Sequence, residues 1–184
     1  SSLRSLGIQE TQGLTLSNER DQCDKIGWEP MGEVATISNP ISVEHTILRQ
    51  SILPSLLVLL SSNRHHELPQ RVYELSEVVR ESVNRPRVAW ACAEVGGGFS
   101  SAKGVVQALL RDLGAGIDEV TLEDTVDGPW IAGRGAKIMF EGVEIGSFGE
   151  ISPRVLHEFG LRSPVNAGEF DVESLNRLAP DSIT

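Results

Sequence analysis

The sequence predicts an α+β fold with a largely antiparallel sheet. Its β-rich runs are joined by short turn signals, most clearly at Glu141-Gly142 between residues 136–141 and 143–148. Its helical stretches fall at irregular intervals among these runs, without the strict strand–helix alternation of a doubly wound fold. Residues 88–95 are apolar on both faces, as befits a central strand covered on two sides.

Residues 9–17 read as the first strand, carrying Thr11, Leu14, Thr15 and Leu16. Asn18 is a candidate cap for a polar helix over 19–26, stopped by Gly27. A short β-rich run at 34–37 ends at Asn39-Pro40. The strongest helix follows. Ile52, Leu56, Leu57, Leu59 and Leu60 recur at helical spacing, Pro54 fits its first turn, and Ser51 is the expected cap. Residues 71–79 read as a strand with mixed faces, followed by a turn at 84–86. In the strand at 88–95, Val88, Trp90 and Cys92 point one way, and Ala89, Ala91 and Ala93 offer the other side to a closely approaching element.

After Gly96 to Gly98, Ser100 or Ser101 opens a helix with the stripe Val105, Val106, Leu109, Leu110 and Leu113, closed by Gly114 and Gly116. Further strands are expected at 119–122, 136–141, 143–148 and 165–172. Ser152-Pro153 starts a short helix over 154–159 that Gly160 ends, and the tail frays from Asn176.

The 184 residues suit one domain, 1–184. With 40% hydrophobic and 23% charged residues the chain can build a packed core, which excludes wholesale disorder. The longest apolar run, 52–60, is interrupted by Pro54 and Ser55 and falls short of the roughly 18 residues a membrane span needs. No signal-peptide core occupies the first thirty residues, and two cysteines make no disulfide framework, so a cytoplasmic setting and no membrane partner are expected. A formal net charge of -10 repels phosphate backbones and disfavours direct nucleic-acid binding. Three lysines against thirteen arginines fit a salt-rich cytoplasm or ordinary compositional drift. The Ser1-Ser2 start suggests a piece of a longer polypeptide.

Motifs with chemical potential are few. Residues 96–104 sit between strand and helix, where phosphate cradles form, but Ala102 precedes Lys103 where a P-loop has glycine, and Gly104 follows where it has Ser or Thr; a plain turn is expected. His65-His66-Glu67 lacks the i, i+4 spacing of a helical zinc site. Cys92 reads as a small core residue, and there is no Gly-x-Ser-x-Gly elbow. Gly133-Arg134-Gly135, after Trp130, reads equally as a functional arginine, anchoring a carboxylate or building a subunit contact, or as a turn with one exposed arginine.

Three stretches together resemble the β chain of phenylalanyl-tRNA synthetase of the archaeal and eukaryotic type. The first is Asn39-Pro40-Ile41-Ser42, continuing through residues 48–57 and 63–74. The second is residues 99–104 with the following helix and Gly133-Arg134-Gly135-Ala136. The third is residues 146–153, ending at Glu169-Phe170. The match runs from about Ser5 to Leu175. It implies the last domain of that β chain, similar to a class II aminoacyl-tRNA synthetase catalytic domain, with a mainly antiparallel six- or seven-stranded sheet flanked by helices. It further implies an α2β2 enzyme that uses ATP and Mg2+, with the active site on the α chain and tRNA reached through the whole enzyme. No cofactor is expected in this fragment.

A working class II site needs arginines to neutralise phosphates at fixed positions. Val78-Val79-Arg80-Glu81-Ser82 comes close to the family's Phe-Arg-x-Glu pattern, with Ser82 where the acid should stand. Gly168-Glu169-Phe170-Asp171 offers acids where the second arginine should fall, so a nucleotide cleft lined by Glu169 and Asp171 is expected to repel its ligand. The resemblance therefore points to a domain that acts by assembly with the α chain and is itself not catalytic; the alternatives are a free-standing class II-like nucleotide- or amino-acid-binding module and an autonomous adenylate-forming enzyme. Leu56, Leu57 and Leu60 on the apolar helix, with Trp130 and Arg134, are the candidate contact residues.

Overall fold

The computed structural model describes residue 4, residues 6–112 and residues 117–174. The strands are β1 (Gln9–Glu10), β2 (Leu16–Ser17), β3 (Ile47–Leu48), β4 (Gln70–Arg80), β5 (Val83–Ala93), β6 (Thr121–Asp124), β7 (Trp130–Phe140), β8 (Val143–Ile151) and β9 (Val165–Asp171). The α-helices are α1 (Leu53–Ser62), α2 (Phe99–Asp112) and α3 (Pro153–Glu158). Seven strands form one sheet in the order β1-β4-β5-β9-β8-β7-β6, and β2 pairs with β3 apart from it. Every neighbour in the large sheet is antiparallel except β1 with β4, as the expected fold class requires.

Strand β5 divides the core. Val88, Trp90 and Cys92 face α2 together with Phe148 and Phe170. Ala89, Ala91 and Ala93 face Leu53, Leu56, Leu57 and Leu60 of α1, with Val155 and Phe159 beside them. The alanine side thus admits a helix at close range, as its small residues predict. Trp90 stacks on Phe170 with centroids 5.2 Å apart, and the space comes from glycines: a Cβ on Gly168 would strike the Trp90 ring, and one on Gly146 the Phe170 ring. Gly168→Val is expected to cost about 3 kcal/mol or more, because β9 cannot retreat from two flanking strands; chemical unfolding with an unchanged m-value checks this.

Both long hairpins turn in two residues. Glu141 and Gly142 have φ of 51° and 80°, the expected turn. The β4–β5 turn is Glu81-Ser82, with φ of 52° and 64°, and not the turn read at 84–86. Asn84 to Pro86 are inside β5, where Pro86 opposes Glu77. Pro86 lies beyond the β5–β9 ladder, which begins at Arg87, so the strand has one free edge there and tolerates proline.

Other boundaries moved for local reasons. The strand read over 9–17 splits into β1 and β2, because the chain crosses at Gly13 over the buried Arg49–Glu74 pair, where a Cβ would sit 3.0 Å from Glu74 Oε1. The run at 34–37 contributes a single bridge, Thr36 to Ile47. The strand read at 119–122 begins at Thr121, after a 3-10 turn over Ile117–Glu119. Asn18 caps as expected, its Oδ1 accepting from Asp21 N at 2.9 Å, but the helix it opens is a wide π-type segment, Arg20–Lys25. Ser152 caps α3 by accepting from Val155 N, with Pro153 at the first position. Leu113, Gly114, Gly116 and the tail from Asn176 lie outside the described residues. Among the described residues no helix is long and apolar enough to cross a membrane.

Candidate functional site

Helix α1 covers only the alanine half of its sheet face. Ahead of its N-terminus the same alternation that buries Ala89 and Ala91 presents Arg87 and Arg85 from β5, Arg80 from β4 and Asp171 from β9. With Glu81, Val143, Glu144 and Glu173, and with Met31 and Gly32 above, they line a cleft of about 810 Å³. A side compartment of about 180 Å³ shares Met31, Arg80, Arg87 and Glu144 with it and adds Trp28, Ile145, Gly146 and Ser147.

Glu169 lies beneath this cleft and is 1% exposed. Its Oε2 accepts from Arg87 Nε, and its Oε1 accepts from Ile52 N at 2.9 Å and Leu53 N at 2.8 Å. A carboxylate from the last strand therefore caps α1, against the macrodipole's positive end. Ser51, the cap read from the sequence, instead turns its hydroxyl to Met31 Sδ at 3.8 Å. A serine next to a helical run is a good local signal; the true cap is 117 residues away and left none.

Arg80 is the exception in the cleft. Arg85 pairs with Glu173 at 3.7 Å and Arg87 with Glu169. Arg80 Nε donates to Gln50 O at 2.8 Å, but among the described residues no carboxylate stands within ion-pair distance of it. Burial, then the like charge of Arg87, push its pKa down to about 10, against the opposing pull of Glu169, Asp171 and Glu144.

Two expectations are corrected here. Glu169 does not line the cleft; it is consumed beneath it. Nor does the cleft lack guanidinium groups, since β5 supplies Arg85 and Arg87. They were missed because a turn at 84–86 removes them from the strand; a turn at 81–82 puts residues 80, 85 and 87 on one face. Even so, Glu81, Glu144, Asp171 and Glu173 outnumber the three arginines, two of which are already paired. A triphosphate does not fit that balance. Among the described residues no group of His, Cys, Asp and Glu is placed to hold a metal, and His65 and His66 are exposed beyond the end of α1.

The five candidate contact residues separate. Leu56, Leu57 and Leu60 are 1%, 0% and 2% exposed, packed into their own chain's core against the alanine face, and so offer no outer surface. Trp130 is likewise buried, its side chain close over Gly135. Arg134 alone of the five is exposed, with its Nη1 2.9 Å from Glu150 Oε2. The outward side of α1 presents Val58 and Leu59, which with Leu14 and Phe159 line a groove of about 490 Å³. In the glycine loop, Gly97 packs on Glu94 and Gly98 on Glu150, carboxylates already paired with Arg71 and Arg134.

Cys92 sits in the α2-side core, and burial, with Glu94 adding, pushes its thiol pKa from 9.0 up to about 12. Native Cys92 should alkylate far more slowly than in denaturant, read by mass spectrometry. Because the folded state holds the neutral thiol, its stabilising contribution is intact below pH 9 and is lost as pH rises towards about 12; Cys92→Ala should flatten this part of the unfolding free-energy profile.

The class follows from the architecture. A mostly antiparallel seven-stranded sheet with this helix arrangement is the class II aminoacyl-tRNA synthetase fold. It superposes on Desulfitobacterium hafniense PylSc, a pyrrolysyl tRNA synthetase, with a TM-score of 0.76 at 14% identity, covering 95% of this chain and 63% of that one. The family is more specific: residues 1–172 match the phenylalanyl tRNA synthetase beta chain CLM domain, and the chain belongs to that family. Relatives named phenylalanine--tRNA ligase beta subunit include those of Methanopyrus kandleri, 42% identical over 92% of this chain and 30% of theirs, and Archaeoglobus fulgidus, 40% identical over 92% and 31%. That of Pyrococcus furiosus is 40% identical over 93% and 31%. The chain thus spans about 30% of the length of these relatives.

Proposed function

We propose that this chain is the assembly domain of a phenylalanine–tRNA ligase β subunit, itself not catalytic, working in the cytoplasm. In this reading it pairs with the catalytic α chain within an α2β2 enzyme and holds that chain in its active geometry. ATP, Mg2+ and phenylalanine are handled on the α chain, and tRNA engages the whole enzyme. The observation that carries it is Glu169. At the strand where a class II site needs a cation, this fold has a carboxylate committed to capping α1 and to pairing with Arg87. The residues there serve cohesion, not phosphate transfer.

The contact surface follows from exposure: Arg134, and the groove side of α1 with Val58 and Leu14. Mixing the chain with a catalytic α chain should give a complex on size-exclusion chromatography. The chain alone should give no ATP–pyrophosphate exchange; measurable exchange overturns the reading. Arg134→Glu and Val58→Asp, both at exposed positions, should each weaken co-purification with the α chain about tenfold while leaving the chain's own unfolding midpoint unchanged. Undiminished co-purification in either variant removes its residue from the interface.

A further inference from the structure

We propose that the pocket between β1 and α2, on the face of the sheet opposite the arginine-lined cleft, binds a small uncharged molecule with an apolar body and one hydrogen-bond donor. This goes beyond the assembly role and does not rest on it.

The pocket has a volume of about 240 Å³. Across its floor runs a row from three strands: Arg71 of β4, Cys92 of β5 and Asn166 of β9 stand opposite one another in register. Alternation puts this row on the α2 side, away from Ala91 and Ala167, which face α1.

The first support is Asn166. It is 1% exposed, and its Nδ2 donates to Glu94 Oε1 at 3.2 Å, which fixes the orientation of the amide. Its buried Oδ1 then finds no donor among the described residues. A buried amide oxygen left without a partner is costly, and an N–H or O–H brought in by a ligand satisfies it.

The second support is Gly104. It lies inside α2 at an ordinary helical φ, and a Cβ placed there would meet nothing within 4 Å. Neither backbone conformation nor packing among the described residues calls for glycine, which weakens a helix relative to alanine. Ser101 and Val105 share this helix face and line the pocket with it, so the empty space beside Gly104 belongs to the pocket.

The third is the chemistry of the walls. Ile8, Cys92 and Val105 are buried apolar residues at the edge of the α2-side core, and the half-exposed Leu6 stands at the rim. Arg71 and Glu94, also at the pocket, already pair with each other at 2.7 Å. An entering cation would compete with Arg71 and an anion with Glu94, whereas a neutral ligand disturbs neither.

The test is calorimetric titration of the whole protein, with its partner subunit bound where it has one. Indole is the probe, an apolar ring system carrying a single N–H. It is expected to bind, with N-methylindole, which lacks the donor, at least about tenfold weaker. Gly104→Leu fills the space and should abolish indole binding, while its urea midpoint stays at or above that of the unaltered protein. The comparison of indole with N-methylindole uses the unaltered protein and so decides even where Gly104→Leu fails to fold. Any of three results overturns the proposal. These are no indole binding, equal affinity for indole and N-methylindole (which would leave Asn166 Oδ1 to a buried water), and undiminished indole binding in a folded Gly104→Leu protein.

Discussion

Glu169→Ala is expected to lower the unfolding free energy by about 3–5 kcal/mol, enough to unfold much of a marginally stable domain. Three interactions go at once. Arg87, 9% exposed, keeps its charge without a partner, and the amides of Ile52 and Leu53 lose their acceptor. Glu169→Gln separates the parts: its carbonyl can still accept from the helix amides, so it should recover part of the loss but not the ion pair. Arg87→Met with Glu169→Gln should be more stable than Glu169→Gln alone, because no unpaired buried charge remains. Urea titrations of the four proteins check the order. Equal stability of wild type and Glu169→Ala would mean that α1 is capped by solvent and that the carboxylate is idle.

Glu74→Ala should cost a similar amount beside the first turn of α1, about 3–5 kcal/mol. Arg49 and Glu74 have side chains 0% and 1% exposed and meet at 2.7 Å. Ser76 donates to the same carboxylate oxygen at 2.7 Å, and Arg49 Nη1 reaches Ser55 Oγ at 3.3 Å. Arg49 Nε has no partner among the described residues, so the network has little slack before Glu74 is removed. Replacing both residues by apolar ones, Arg49→Met with Glu74→Leu, should regain most of the loss, because the desolvation cost leaves with the charges. If the double variant is no better than Glu74→Ala, the damage comes from packing around Gly13 and not from an orphaned guanidinium.

How legible was this in the sequence? The sheet was, where a residue's own neighbours settle the matter. Alternation in 88–93 gave two faces, and the structure puts a helix on each; Ser152-Pro153 and Glu141-Gly142 are local devices that formed as their chemistry dictates. What failed was long-range. Glu81-Ser82 turns with positive φ at two residues that carry no strong left-handed preference, while Asn84 and Pro86 nearby look like better turn formers. That shift hid the arginine-lined face. Leu56, Leu57 and Leu60 illustrate a second limit: an apolar stripe states that something covers it, and here the cover is the chain's own alanine strand. The cap on α1 comes from a strand across the fold and could only be seen once the sheet was assembled.

The tie between Glu169 and α1 has an evolutionary corollary. A substitution to arginine at this position, the simplest move towards a phosphate-gripping strand, would set a cation against Arg87 and against the positive end of the helix while stripping that helix of its anchor. Turning this strand to phosphate binding would require several changes made together, each harmful by itself, so a domain that uses this carboxylate as a keystone is held against that change.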